Sequence, residues 1–174
     1  MLTPYAMLVN SDKFIAGGPV WVDQHKDKKD DQQRIVAALR IENRVIQGLE
    51  LVGRARLGIR NAYVSFSLIY RPTDNRRDSV RLGRIDWRPL TPHCNDHSNT
   101  PPELIGDVFG SHHHEFDLNW AAKNNAPLKS LPIAREISPD YQSFTELLDG
   151  VADLFRIGNV ASKVRSPWPE DLFG

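Results

Sequence analysis

Five of the six histidines of this 174-residue chain fall between Arg84 and Trp120, in RIDWRPLTPHCNDHSNTPPELIGDVFGSHHHEFDLNW. The only cysteine, Cys94, and the carboxylates Asp86 and Glu115 lie in the same stretch. Imidazoles at this density bind a metal, move a proton or grip an anion. An extended segment over His112 to Phe116 places His112 and His114 on one face and His113 on the other, because side chains alternate along a strand. Two imidazoles so placed form half of a metal site or, equally, an acid–base pair. Asp86, on the polar strand before them, is the candidate carboxylate. His93, in a Pro-rich loop, is the candidate third imidazole. His97 and Cys94 are further candidates, but a single Cys-x-x-His falls short of a structural zinc motif. The alternative is a solvated His run with a loop histidine capping a turn. Arg84 shares a strand face with Asp86, and an ion pair alone would account for both.

The order Arg84-Ile85-Asp86, His93-Cys94-Asn95, Gly110-Ser111-His112-His113-His114-Glu115-Phe116 and Trp120-Ala121 resembles a family of small bacterial proteins. That pattern runs Arg-apolar-Asp, His-x-Asn, Gly-x-His-x-His-x-aromatic, Trp-Ala, and closes with an amphipathic helix and an Asn. Phe144 to Asn159 is similar to this ending, so the resemblance spans about residues 60 to 160. It implies that Asp86, His93, Asn95, His112 and His114 are the functional residues. His113 stands where the family has an apolar residue, and the insert between Asn95 and Gly110 is longer here. The family's association with mobile or defence-related DNA implies nuclease or toxin chemistry.

Two functions of different class follow. The first is a phosphodiester hydrolase acting on RNA or DNA, of toxin or antiviral-defence type. Its divalent metal, zinc or manganese, would be held by His93, His112, His114 and Asp86. In a metal-free version His112 and His114 serve as base and acid, with His93 beside them. Arg84 or Arg81 would stabilise charge on the phosphorane. The second is a non-catalytic interaction module, an inhibitor or antitoxin of a phage or defence system, meeting a protein partner through the C-terminal tail with Trp168, Leu172 and Phe173. No Gly-rich phosphate loop, nucleophile elbow or paired-Cys motif is present. A sequence-specific DNA reader is disfavoured, because no helix-turn-helix pair is visible and the clearest helix has an acidic face of Glu146, Asp149 and Asp153.

Composition bounds these readings loosely. The chain is 40% hydrophobic and 25% charged, with 22 basic and 22 acidic residues, so bulk charge names no partner. The distribution is uneven. Nine arginines stand against three acids from Arg54 to Arg88, and seven acids against Arg156, Lys163 and Arg165 from Glu136 onward. A basic middle suits an anionic ligand on one face, and scattered solvated arginines are the plainer account. One cysteine makes no internal disulfide, no apolar run reaches membrane-spanning length, and the N-terminus lacks a signal-peptide layout. A cytoplasmic protein without a membrane partner is therefore expected.

The elements that must position the histidines read as α+β: an antiparallel meander packed against a C-terminal amphipathic helix, in one domain over 1–174 with 160–174 as an extended tail. Phe14 to Ala16 and Val20 to Val22 read as two short strands joined at Gly17-Gly18-Pro19. His25 to Gln33 reads as an exposed loop or first helical turn. Period-two alternation marks strands over residues 34 to 71, and Val80 to Trp87 continues them. Residues 88 to 111 read as a long irregular loop, a length that points to function, and His112 to Trp120 as another strand. Ser143-Phe144-Thr145-Glu146 fits a capping box. Phe144, Leu147, Leu148, Val151, Leu154 and Phe155 repeat at helical spacing, with Gly158 as the stop.

Overall fold

The alternating apolar residues of the middle of the chain build one side of an antiparallel sheet. In the computed structural model, which describes residues 3–24 and 31–169, eight strands form this sheet. They are β1 (Lys13–Ile15), β2 (Val22–Asp23), β3 (Gln32–Ile41), β4 (Arg44–Arg56), β5 (Val64–Tyr70), β6 (Val80–Trp87), β9 (His112–His114) and β10 (Arg135–Glu136). A separate hairpin joins β7 (His93–Asn95) to β8 (Gly106–Val108). The helices are α1 (Pro4–Asn10), α2 (Phe116–Ala122), α3 (Phe144–Phe155) and α4 (Val160–Lys163). The sheet order is β1-β3-β4-β5-β6-β9-β10, with β2 on the other end of β3. The fold is thus α+β, and β3 to β6 are the expected meander.

Ile35, Ala37, Leu39, Leu49, Leu51, Phe66, Leu68, Ile85 and Trp87 are buried on one face. The stripe of α3, with Leu147, Val151 and Phe155 fully or almost fully buried, covers that face. Gly83 sets how closely the helix approaches: a Cβ there would stand 2.8 Å from the ring of Phe155. The opposite face carries mostly polar side chains in ranks across the strands. Arg54, Ser65, Asp86 and His112 are in register on β4, β5, β6 and β9, and Val52, Ser67, Arg84 and His114 form the next rank.

A bulge interrupts the β5–β6 register, where Leu68 pairs with Gly83 but Ile69 pairs with Arg81. The extra residue, Leu82, is buried. Strict alternation would put Arg81 on the face opposite Arg84; the bulge turns it to the same side. The Arg81 amide and Nε then donate to the carbonyls of Leu128 (2.8 Å) and Lys129 (3.1 Å).

Several expectations are corrected. Thr3-Pro4 opens a helix, with Thr3 Oγ1 accepting from the Ala6 amide and Pro4 in its first turn, a start signal that apolar spacing does not record. Lys13, fully buried, closes that helix by donating from Nζ to the carbonyls of Leu8, Val9 and Ser11. β1 and β2 do not pair with each other; both pair with β3. Of the charged run after Gln24, residues 25–30 lie outside the described residues.

Residues 88 to 111 are not irregular throughout, since the β7–β8 hairpin and a helical turn at Pro102–Leu104 order them. The strand at His112 lasts three residues and gives way to α2. Phe116, Leu118 and Trp120 alternate as in a strand, but the side chains buried are Phe116, Asn119 and Ala122, at helical spacing. At α3, Ser143 Oγ accepts from the Glu146 amide as expected, but Glu146 Oε2 accepts from Gln142 N and not from Ser143. Arg156, in the left-handed conformation, ends the helix before Gly158. Residues 160–163 form a helical turn where an extended tail was expected.

Candidate metal centre

Pairing of β9 with β6 sets the site. Asp86 lies opposite His112 and Arg84 opposite His114, so four polar side chains share one face at neighbouring positions. His112 Nε2 and His114 Nε2 each stand 3.5 Å from Asp86 Oδ2. The other carboxylate oxygen, Oδ1, accepts from Arg84 Nη2 at 2.5 Å. The Pro-rich excursion returns along β7 and brings His93 over the pair. Its ring centroid lies 4.7 Å from that of His114 and 5.5 Å from that of His112. Ligating atoms of all three histidines fall within 4.8 Å of one another, so the three could hold a metal ion. Nitrogens bonded to one ion at about 2.1 Å lie about 3.4 Å apart, so the widest pair must close by about 1.4 Å.

Backbone carbonyls orient two of the rings. His93 Nε2 donates to Pro132 O at 2.8 Å, and His112 Nδ1 donates to Gly110 O at 2.9 Å. A carbonyl only accepts, so each of those nitrogens carries the proton. The lone pairs are therefore His93 Nδ1 and His112 Nε2. This is the outer-shell arrangement that readies a neutral imidazole for a cation. The side chains of His112 and His114 are each 4% exposed and that of Asp86 9%, too little for a solvated His run. Three buried polar atoms here, Arg84 Nε, Asp86 Oδ2 and His114 Nδ1, have no hydrogen-bond partner among the described residues. A cation held beside the carboxylate would relieve Asp86 Oδ2, and native interiors avoid such a shortage.

Two buried asparagines hold the segment that carries the Pro132 carbonyl. Asn95 Nδ2 donates to Leu104 O and Ala134 O, and its Oδ1 accepts from Ala134 N. Asn119 Nδ2 donates to Glu115 O and Ile133 O, and its Oδ1 accepts from Ile133 N. Both are fully buried. Asn95, implied as functional by its motif, thus acts at one remove: it ties β7 to residue 134 and so places His93. Asn119, the Pro132 and Gly110 carbonyls and Lys129 lie outside what the motifs single out. Asn119 carries a signal only once α2 is placed, as a polar residue among buried ones.

Charge separates the groups cleanly. Burial, above all, lowers the pKa of His112 and His114, against the raising effect of Asp86. Burial works the other way on Asp86, but His114, Arg84 and His112 outweigh it and hold the carboxyl below its usual range. At neutral pH His112 and His114 are neutral beside an ionised Asp86, the protonation state that takes a cation.

These shifts fix the pH dependence of the metal-free protein. Unfolded imidazoles take protons below about pH 6.5, before the buried ones do, so acidification favours the unfolded chain. Asp86 acts in the same direction: its stabilisation is complete above its unfolded pKa and is lost as pH falls through the lowered folded value. The urea midpoint in EDTA is expected to drop between about pH 7 and about pH 5, and less steeply in His112→Gln. A midpoint flat across that range, or an equal slope in the variant, would contradict this protonation state.

The remaining candidates lie apart. His113 faces the other side of β9, 3.4 Å from Glu115 Oε1. Cys94 is exposed, and the Nδ1 of His97 accepts from the Asn99 amide, outside the cluster. Arg84 and Arg81 line a cavity of about 320 Å³ with Asp86, His93, His112, His114 and Lys129. The tail aromatic Trp168 packs on Phe144 and donates from Nε1 to Arg56 O, so it serves this chain's own core; Leu172 and Phe173 lie outside the described residues. Among the described residues no helix is long and apolar enough to cross a membrane. No protein-family model, curated protein sequence or solved structure matches this chain.

Proposed function

We propose that the protein is a metal-dependent phosphodiester hydrolase acting on nucleic acid, with His93, His112, His114 and Asp86 holding the ion. The observation that carries this reading is the convergence of three imidazoles, two of them buried, on one cavity whose other wall is cationic. With three imidazoles against one carboxylate, the donor set favours zinc over manganese. When bound, such an ion polarises a phosphate oxygen and lowers the pKa of a coordinated water. The chain's own groups do the rest. Arg81, with Arg84 held beside it by Asp86, draws in the phosphate and stabilises the charge that grows on its non-bridging oxygens. The Pro132 and Gly110 carbonyls keep His93 and His112 turned to the ion. The pairing of Asp86 with Arg84 keeps the carboxylate ionised. A metal-free acid–base pair is disfavoured, because both strand histidines are held neutral and neither supplies an imidazolium acid.

The test uses protein purified without a tag, analysed for metal and then incubated with labelled RNA and DNA, with and without EDTA. Stoichiometric metal and cleavage that EDTA stops are expected. Cleavage indifferent to EDTA would remove the metal from the reading. Absence of both metal and cleavage would leave a non-catalytic interaction module as the better account.

A further inference from the structure

The polar face of the sheet continues past the histidines as a second recess, of about 470 Å³, whose lining includes Arg54, Arg71, Arg81 and Lys129 and, among the described residues, no acidic one. Arg81 and Lys129 form the shared wall between this recess and the histidine cavity. Arg54 also lines a third cavity, of about 250 Å³, which shares Arg84 and Asp86 with the histidine cavity. The three hollows therefore form one surface around the candidate centre. The floor is shallow in side chains: Ser65 and Ser67 on β5 separate the arginine of β4 from those of β6.

We propose that Arg54, Arg81 and Lys129 form a phosphate subsite beside the histidine centre, and that the ligand is therefore a polynucleotide rather than a mononucleotide. The inference rests on the phosphodiester reading above and narrows its substrate from nucleic acid in general to a strand several nucleotides long.

Charge supports it first. Arg71 is neutralised by Glu50 at 2.5 Å and Arg84 by Asp86, whereas Arg54, Arg81 and Lys129 have no acidic partner within ion-pair distance among the described residues. Lys129 Nζ is satisfied by the carbonyls of Arg77 and Ser79, which fixes its position and leaves its charge uncompensated. Burial lowers the pKa of Arg81, and the neighbouring guanidiniums of Arg84 and Arg54 lower it further. Cations crowded in this way gain from an incoming anion.

Spacing supports it second. Arg54 and His112 stand in one rank across four strands. Strands lie about 4.8 Å apart, so three spacings are about 14 Å. At about 3.4 Å per nucleotide, that is about four nucleotides of a stacked strand. One phosphate cannot touch both ends of such a rank; a chain of them can.

The test is binding, measured apart from cleavage. The full-length protein in EDTA is titrated into fluorescein-labelled single-stranded oligothymidylate and, separately, oligouridylate, followed by anisotropy at several salt concentrations. Binding of either is expected, with a salt dependence. Arg54→Ala should weaken it about tenfold and reduce the slope of log K against log salt by about one, while Arg54→Lys retains most of the affinity. Arg54 is exposed, and circular dichroism checks that each variant folds. The proposal is overturned if neither strand binds, if Arg54→Ala binds like the parent, or if uridine monophosphate competes as well as the oligonucleotide. Loss of the subsite with cleavage intact would leave the hydrolase reading standing. Oligonucleotide binding without cleavage under any metal would leave the subsite standing alone.

Discussion

Replacing His114 by alanine is expected to lower metal affinity by about 10²- to 10³-fold and to remove cleavage of nucleic acid with it. Apparent binding energies of about 10–16 kcal/mol for a four-ligand zinc site correspond to about 2.5–4 kcal/mol per ligand, which sets that range. His114 is the sharpest choice because its ring is 4% exposed, faces Asp86 and lies nearest His93. Affinity is read by competition with a chromophoric zinc chelator. His113→Ala is the matched control: it removes an imidazole one residue away on the opposite face and should leave metal binding unchanged. Because alanine removes the ring that stands 3.5 Å from Asp86 Oδ2, His114→Gln, which keeps a polar group near the carboxylate, separates loss of ligation from loss of fold. Metal content unchanged in both His114 variants would remove the candidate centre.

Asn119→Leu is expected to cost about 3–5 kcal/mol of stability, read as a fall in the urea midpoint at unchanged m-value. Leucine has as many side-chain heavy atoms as asparagine and is bulkier, so no cavity opens at this buried place. The loss comes from the backbone: the Ile133 amide and the Ile133 carbonyl both lose their partner in a fully buried place. An unmet buried amide or carbonyl costs about 1–3 kcal/mol. The same segment carries the Pro132 carbonyl that orients His93, so metal affinity should also fall, by about 10- to 100-fold. A change under about 1 kcal/mol for leucine would mean that residues 131–134 are held elsewhere and that the Asn119 staple does not place His93.

The meander and the α3 helix are legible in the sequence because their periods are local: apolar residues two apart in β4 and β5, three and four apart in α3. The residues between Trp87 and Arg135 are not, because their order comes from partners far along the chain. Asn95 and Asn119 each meet main-chain groups near residue 133, and Arg88 bonds to Ser111, Asp140 and Tyr141. A buried asparagine and an exposed one look alike in a sequence. α2 reads as strand because Phe116, Leu118 and Trp120 alternate by chance over a segment too short for either period to prevail.

Local stereochemistry was enough to say which side chains can ligate and that His112 and His114 share a face, since alternation along an extended backbone needs no distant partner. The assembly of the centre came from long-range contacts. Strand pairing set Asp86 opposite His112, hairpin closure carried His93 across to them, and one bulged residue, Leu82, turned Arg81 into the cavity instead of away from it. Register and bulges arise from hydrogen bonds between distant segments, so no period within either segment records them.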